Sequence, residues 1–381
     1  GSGQLTELKS IIEKTHVLIL DHHEPQRMEH INLFHLNPLL FGESVASASV
    51  VCYLFAKAVD VKNTDLINLA ILGAVGDERD EGWKFQGLTR KIVKEAEDLG
   101  RLSVVTGIRL YGRNSRPLHQ ALARSFNPII PGISGSESQA VQFLAELGID
   151  VKNGNEWRKL KDLSVEEQKK LASAIIMERL KFEQEDAADI FGDVYTFLGL
   201  PEQLQDAREF ATLINACGRT ANYTTAIKLC LGDFSALLEA TDTMEKYRKM
   251  ISDGINFIRS GAVKVTDQAT YILGKNRIPE TLIGTITSIA LNSGIVDRSK
   301  PLLGFAETSE DMVKVSARAA EKLDINLREV IVEAAVAVGG EGGGHRHAAG
   351  ALIPKGKEKE FINAIDSILS KVRIDGKENK G

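Results

Sequence analysis

The sequence predicts an α/β protein made of a partial doubly wound parallel-sheet unit, a helical insert and a second α/β unit towards the C-terminus. Three observations predict this. An apolar run, His16-Val17-Leu18-Ile19-Leu20, ends abruptly in Asp21-His22-His23-Glu24-Pro25. The middle of the chain carries helical periodicity with a capping box. The last third alternates strand and helix patterns.

Residues 4–14 read as a short helix with Leu5, Leu8, Ile11 and Ile12 on one face. The run at 17–20 reads as a strand buried on both faces, as in a parallel sheet. The polar cluster then lies at the carboxyl end of that strand, where open α/β sheets place their ligands. Asn37-Pro38 is a turn signal. Residues 46–59 read as a helix, Thr64 caps a second helix running to Val75, and 89–99 is a third, ended by Gly100. A lone parallel strand cannot satisfy its backbone groups. Neighbouring strands are therefore expected from elsewhere, most simply from sequence ahead of Gly1.

Further on, the Pro-, Gly- and Ser-rich stretch 127–138 marks a boundary, and Ser164-Val165-Glu166-Glu167 is a capping box opening an amphipathic helix to Leu180. Residues 206–218 are helical, and 243–261 read as a mixed-charge linker helix. Strands are expected at 269–273, 301–306, 312–317 and 349–353, and helices at 279–292, 327–338 and 358–372. The segment 339–347 reads as a glycine-rich loop. The expected division is 1–124, a helical insert 125–205, connector helices 206–262, and a C-terminal α/β domain 263–375.

Composition narrows the function classes. With Lys+Arg 47 against Asp+Glu 52, the net charge of −5 excludes a globally basic nucleic-acid coat but not a local basic groove. Three cysteines, Cys52, Cys217 and Cys230, form neither a disulfide framework nor a CxxC site, and read as buried free thiols of a reducing cytoplasm. No apolar run approaches the ~18–20 residues of a membrane span, so no membrane partner is expected.

Three clusters carry candidate chemistry. Asp21-His22-His23 combines imidazoles and a carboxylate, a donor set suited to Mn, Zn or Fe. The neighbouring acid can orient one imidazole through its far nitrogen. Asp77 follows Gly73-Ala74-Val75-Gly76 and opens the polar run to Glu81. In Gly339-Gly340-Glu341-Gly342-Gly343-Gly344-His345-Arg346-His347, glycines expose N–H groups that a phosphate can approach. Arg318 closes a strand and Arg219 lies just past a helix end, each able to pair with a phosphate oxygen or with an acid. Arg109, Arg113 and Arg116, with Tyr111 and His119, read either as a strand-contacting basic stretch or as a solvated turn.

Taken in order, these motifs resemble the DHH phosphoesterases. Asp21-His22-His23, Asn37-Pro38 and Gly73-Ala74-Val75-Gly76-Asp77 resemble the family's DHH segments. Gly342-Gly343-Gly344-His345 with Ala348-Ala349-Gly350, and Val313 to Arg318, resemble the DHH-associated C-terminal domain. Asp206 to Phe210 and Asn215 to Arg219 resemble the archaeal RecJ-like branch that includes the GINS-associated nuclease. The resemblance implies phosphodiester hydrolysis at a two-ion Mn²⁺ site, with Mg²⁺ as the alternative ion. By motif position, His22, Asp77 and Asp21 match metal ligands, and Asp21 and His23 match catalytic groups. Gly342, Gly343, Gly344, His345, Arg318 and Arg219 match the substrate-phosphate side. The implied partner is single-stranded DNA or RNA. Other outcomes within the resemblance are a non-catalytic replication scaffold bound to GINS and the helicase, or an esterase of short oligonucleotides or cyclic dinucleotides. The family also carries Asp-rich metal motifs upstream of this strand, and residues 1–3 resemble the stretch following the later one. The expectation is a chain that begins just after that motif, binds metal poorly by itself and has little activity.

Overall fold

A computed structural model describes residues 5–43, 46–77, 84–125, 129–181 and 187–378. The stretch 1–3, the polar run 78–81 and Asn127-Pro128 of the boundary loop, all singled out above, lie outside the described residues.

The first helix, α1 (Lys9–Ile12), leads into β1 (Val17–Leu20), which pairs in parallel with β2 (Leu33–Leu36), Val17 opposite Leu33 and Leu20 opposite Leu36. The pattern Leu33-Phe34-His35-Leu36 was not expected as a strand, because four residues interrupted by a histidine do not stand out from their surroundings. Nor is β1 buried on both faces among the described residues. Leu18 and Phe34 are 44% and 56% exposed on one face, while α2 (Ala48–Val59) packs behind β1.

A 3₁₀ turn, Val61–Leu66, separates α2 from α3 (Ile67–Asp77). Asp60, not Thr64, caps it: its side chain accepts from the Lys62 amide at 2.9 Å, while the Thr64 hydroxyl donates to the Val61 carbonyl. A Cβ built on Gly73 of α3 would stand 2.4 Å from both Cβ and Oγ of Ser49, so the close crossing of α2 and α3 requires glycine there. Next, α4 (Gly87–Asp98) ends before Gly100, whose φ is +65°, and β3 (Leu102–Ile108) follows.

The insert comprises α5 (Leu118–Ala123), α6 (Glu137–Glu146), a small hairpin of β4 (Lys152–Asn153) and β5 (Glu156–Trp157), and α7 (Val165–Lys181). Its capping box forms as expected: the Glu167 amide donates to the Ser164 hydroxyl, and the Ser164 amide to the Glu167 carboxylate. Its apolar core draws in Ile108, Leu110 and both leucines of α5, which lie ahead of residue 125. Then β6 (Phe191–Phe197) returns antiparallel to β3.

Four helices follow: α8 (Glu202–Gln205), α9 (Ala207–Arg219), α10 (Tyr223–Cys230) and α11 (Leu237–Arg259). The last is a core element rather than a linker: Met244, Ile251 and Ile255 share one apolar cluster with α2, α3, α9 and the C-terminal unit. That unit contains β7 (Val263–Val265), β8 (Thr270–Lys275), α12 (Ile283–Asn292), β9 (Leu302–Glu307), β10 (Met312–Arg318), α13 (Leu327–Ala337), β11 (Glu341–Gly344), β12 (Ala348–Pro354) and α14 (Glu358–Glu378). The six strands run in the order β11-β12-β10-β9-β8-β7, with β8 and β9 parallel and the other pairs antiparallel. Alternating residues face opposite layers, as strand periodicity requires. Ile272, Leu302 and Ala306 join the α11–α12 side, and Tyr271, Leu303 and Phe305 join the α13–α14 side.

Two expectations need correction. The glycine-rich segment is not a loop over its whole length, since Glu341–Gly344 form an edge strand. The helix α13 lies so close that a Cβ on Gly342 would meet the Ile331 carbonyl at 3.1 Å, and Gly344 adopts φ +132° against the Ala348 carbonyl. Of the cysteines, Cys217 is buried, Cys230 is half-buried, and Cys52 is exposed on the outer side of α2.

Gly73→Ala is expected to cost about 1–3 kcal/mol, the usual range for forced overpacking. Ser49→Gly, which removes the opposing Cβ, is expected to restore most of it. Urea denaturation of both single variants and the double variant checks this.

Candidate metal and phosphate site

The site starts from one buried carboxylate. Pairing of β1 with β2 continues one step beyond the strands, because the Asp21 amide donates to the Leu36 carbonyl at 3.2 Å. This fixes Asp21, 2% exposed, at the carboxyl end of β1. Its Oδ1 accepts from the amides of His22 (2.8 Å) and His23 (3.3 Å) and lies 2.8 Å from Nδ1 of His23. An ionised carboxylate only accepts, so Nδ1 of His23 carries the proton and Nε2 offers its lone pair. Burial by itself would raise the Asp21 pKa, but the bonds from His23 and the two amides outweigh it and hold the carboxyl below the usual range.

His22 stands edge-on to His23, ring centroids 4.5 Å apart. Its Nε2 is 3.5 Å from Oδ2 of Asp77, which α3 delivers from its last turn. Its Nδ1 is buried without a hydrogen-bond partner. Asp21, His22 and His23 each offer a ligand atom within 4.8 Å of the others. Nε2 of His22 and Oδ2 of Asp77 stand at a spacing at which both can ligate one cation, while the unpartnered Nδ1 lies on the other side of the ring. The donors present, imidazole with carboxylate, therefore fit a divalent transition metal such as Mn²⁺.

One neighbour escaped the sequence reading, and another was noted there without a role at the site. His35 sits opposite Ile19 in the register, and its Nε2 is also buried without a partner. Burial lowers its pKa, and the charge of Asp21 opposes that shift. Asn37, read as a turn signal and as part of a DHH segment, is 1% exposed and donates to the His23 carbonyl. Recognition of β2 as a strand would have placed both beside the cluster.

On the C-terminal unit, the Arg318 Nε donates to the Ser288 hydroxyl of α12 at 2.9 Å, and its Nη1 donates to the Ala317 carbonyl. Burial, then the neighbouring charge of Arg219, push the Arg318 guanidinium below its ordinary pKa. Arg219, at the end of α9, donates to the Thr281 carbonyl at 3.2 Å, just ahead of α12. A Cβ on Gly284 would stand 3.5 Å from Nη2 of Arg318, so the arginine lies against the first turn of that helix. Two guanidinium groups and a helix N-terminus meet here, and among the described residues neither arginine has an ion-pair partner. Such a constellation attracts an anion.

The two halves share α9. Gly76, next to Asp77, lies against Ala211 and Asn215, one turn ahead of Arg219. The Gly342–His345 segment lies one strand beyond Arg318, because Ala348 of β12 pairs with Arg318 in the register and bonds to His345. His345 is exposed, its amide donates to the Ala348 carbonyl, and Arg346 pairs with Asp324.

The basic stretch after β3 faces inward. Arg116 and Arg124 reach Glu245 of α11 at 3.4 and 3.1 Å, and Arg248 lies 4.4 Å from the centre of the Tyr111 ring. His119 is buried against Trp157. Glu209 of α9, 6% exposed, accepts from the Gly112 amide at 2.7 Å and the Ser115 hydroxyl at 3.3 Å. The stretch is thus a joint fastening the insert to α9 and α11 rather than a solvated turn.

With this geometry in place, similarity to known proteins becomes informative. The chain matches the family models for the DHH-CID domain over residues 110–188 and the DHHA1 domain over residues 278–371. An uncharacterized protein of Methanocaldococcus jannaschii is 32% identical over 378 residues, spanning 97% of this chain and 79% of that protein. CDC45 from Entamoeba histolytica shares the fold with a TM-score of 0.63 at 13% identity, over 97% of this chain and 83% of that one. RecJ from Thermus thermophilus, in complex with Mn²⁺, shares it with a TM-score of 0.55 at 14% identity, over 97% of this chain and 44% of that one. The chain belongs to the DHH family, and it shares the RecJ and CDC45 fold.

The joint yields a pH prediction. Burial, then the charge of Asp206, raise the Glu209 pKa from 4.5 to about 7, so the two acids shed protons as a pair. A folded-state pKa raised above its unfolded value contributes stability that is full below the unfolded value and lost as pH rises through the folded one. Between pH 5 and 8, the protein is expected to lose stability relative to Glu209→Gln, which does not titrate. Thermal melts of both proteins across that range check it, and parallel profiles contradict it.

Proposed function

We propose that this protein is a metal-dependent phosphodiesterase acting on single-stranded DNA or RNA as a RecJ-like exonuclease. The observation that carries the reading is the grouping of Asp21, His22 and His23 with Asp77, whose Oδ2 lies 3.5 Å from Nε2 of His22. His22 and Asp77 would hold the ion, Mn²⁺ or alternatively Mg²⁺, with Asp21 beside them. Oδ1 of Asp21 accepts from the turn and lies against Nδ1 of His23. A bound ion supplies charge neutralisation for the phosphate and makes water a better nucleophile near neutral pH. His23, its tautomer set by Asp21, presents the Nε2 lone pair to a reacting proton, and once protonated donates from Nε2 to a phosphate oxygen. Asp21 stabilises the imidazolium that forms when His23 takes up a proton. Arg318 and Arg219, with the first turn of α12, bind a phosphate of the strand. Gly342, Gly343 and Gly344 offer the open edge of the sheet to the nucleic-acid backbone, with His345 at its tip. With a net charge of −5, binding is local to these groups and weakens with salt.

A second reading, a replication scaffold bound to GINS or other replisome proteins through the insert, is favoured by one observation. The described cluster brings two carboxylates and two imidazoles together, whereas a pair of close divalent ions calls for more carboxylates.

Hydrolysis of 5′- and 3′-labelled single-stranded DNA and RNA with Mn²⁺ or Mg²⁺ separates the two. The phosphodiesterase reading expects chelator-sensitive shortening from one end. His22→Ala is expected to lose more than the ~100-fold typical of changes one shell out from a metal. Arg318→Ala is expected to raise KM by roughly 10- to 100-fold, the worth of a charge-assisted bond. Cleavage that survives His22→Ala contradicts the metal assignment. No cleavage, with GINS bound through residues 110–188, moves the reading to the scaffold.

A further inference from the structure

The Asp21 carboxylate ties down only the amide side of the turn after β1. It takes the N–H groups of His22 and His23 and leaves their carbonyls to be held by something else. The carbonyl of His23 is held by one side chain, Asn37, whose Nδ2 donates to it at 2.8 Å across from the end of β2. The same amide uses Oδ1 to accept from the Leu39 N–H at 3.1 Å, which caps the 3₁₀ turn Pro38–Phe41. Both partners are backbone groups of fixed polarity, so the orientation of the amide is unambiguous. At 1% exposure, water cannot replace either bond.

We propose that Asn37 is a positioning residue for His23: it clamps the carbonyl of the turn so that the Asp21–His23 pair presents the His23 ring at a fixed angle to the substrate phosphate. The requirement is for a side chain that donates and accepts at this length, which among the common residues only asparagine meets. Aspartate keeps the cap on Leu39 but sets a carboxylate oxygen against a carbonyl oxygen. Alanine leaves a buried carbonyl and a buried amide unpaired. Neither change touches the hydrogen bond between Asp21 and His23 directly. Any effect on the imidazole must therefore pass through the turn. Pro38 reinforces the clamp by fixing the backbone immediately after Asn37.

Only the kinetic arm of the test rests on the phosphodiesterase reading. The other arm uses the full chain without added metal and reads the His23 Nδ1–H proton by NMR in wild type, Asn37→Asp and Asn37→Ala. In wild type this proton is expected as a slowly exchanging, downfield imidazole resonance, removed by His23→Ala. In both Asn37 variants it is expected to move upfield or to exchange too fast to see, while circular dichroism stays that of the folded chain. Should Asn37→Asp fail to fold, Asn37→Ser, which keeps a hydroxyl for the Leu39 amide, is read in its place. In the kinetic arm, kcat is expected to fall by roughly 10- to 100-fold with KM little changed, the signature of a misplaced group rather than of lost binding. An unchanged His23 resonance in a folded variant overturns the proposal, as does kcat within about twofold of wild type. A wild-type chain that neither cleaves nor binds Mn²⁺ through His22 overturns the functional reading instead, and leaves the NMR arm to decide the role of Asn37.

Discussion

One buried carboxylate sets the geometry of the site. Asp21 sits where the parallel pairing of β1 and β2 runs out, and its Oδ1 gathers three nitrogens of the next two residues. A carboxylate so buried is tolerable only when it is fully engaged. The same bonds that stabilise it curl the chain into a turn and lock one imidazole tautomer. They also set His22 beside Asp77 with an unsatisfied nitrogen. Structure and chemistry here arise from the same few hydrogen bonds.

The cluster is connected to the rest of the molecule through α9. That helix meets the end of α3 at Gly76, carries Arg219 to α12, and holds the root of the insert through Glu209. A shared apolar core from α2 through α11 to α12 makes the connection stiff. An insert that was free to swing would not need arginines packed on Tyr111 and Glu245. The placement of these side chains argues for a fixed mount, against which a strand or a partner protein can bind without first ordering the hinge.

Much of this was legible in the sequence. Short polar clusters after apolar runs, capping boxes and terminal glycines are local signals, and the helices and C-terminal strands they mark are found within a few residues. Asp21, His22 and His23 were legible because they are contiguous. The contact of His22 with Asp77 rested on resemblance alone, since no local pattern links positions so far apart. What was missed depended on tertiary context. The strand β2 hides His35 and Asn37 because its only strong signal is the partner it pairs with. The glycine-rich segment looked like a loop because the pressure of α13 that makes it glycine is invisible from sequence. The basic stretch looked available to solvent because its acidic partners, Glu209 and Glu245, are distant in the chain.

The claim on which the functional reading stands is that His22 ligates a divalent ion beside Asp77. The most direct measurement is electron spin-echo modulation of the Mn²⁺-loaded protein, which detects imidazole nitrogen bound to the ion independently of any substrate. The expected result is nitrogen modulation in wild type that disappears in His22→Ala. Protein-bound Mn²⁺ without that modulation, or the same modulation in His22→Ala, contradicts the assignment.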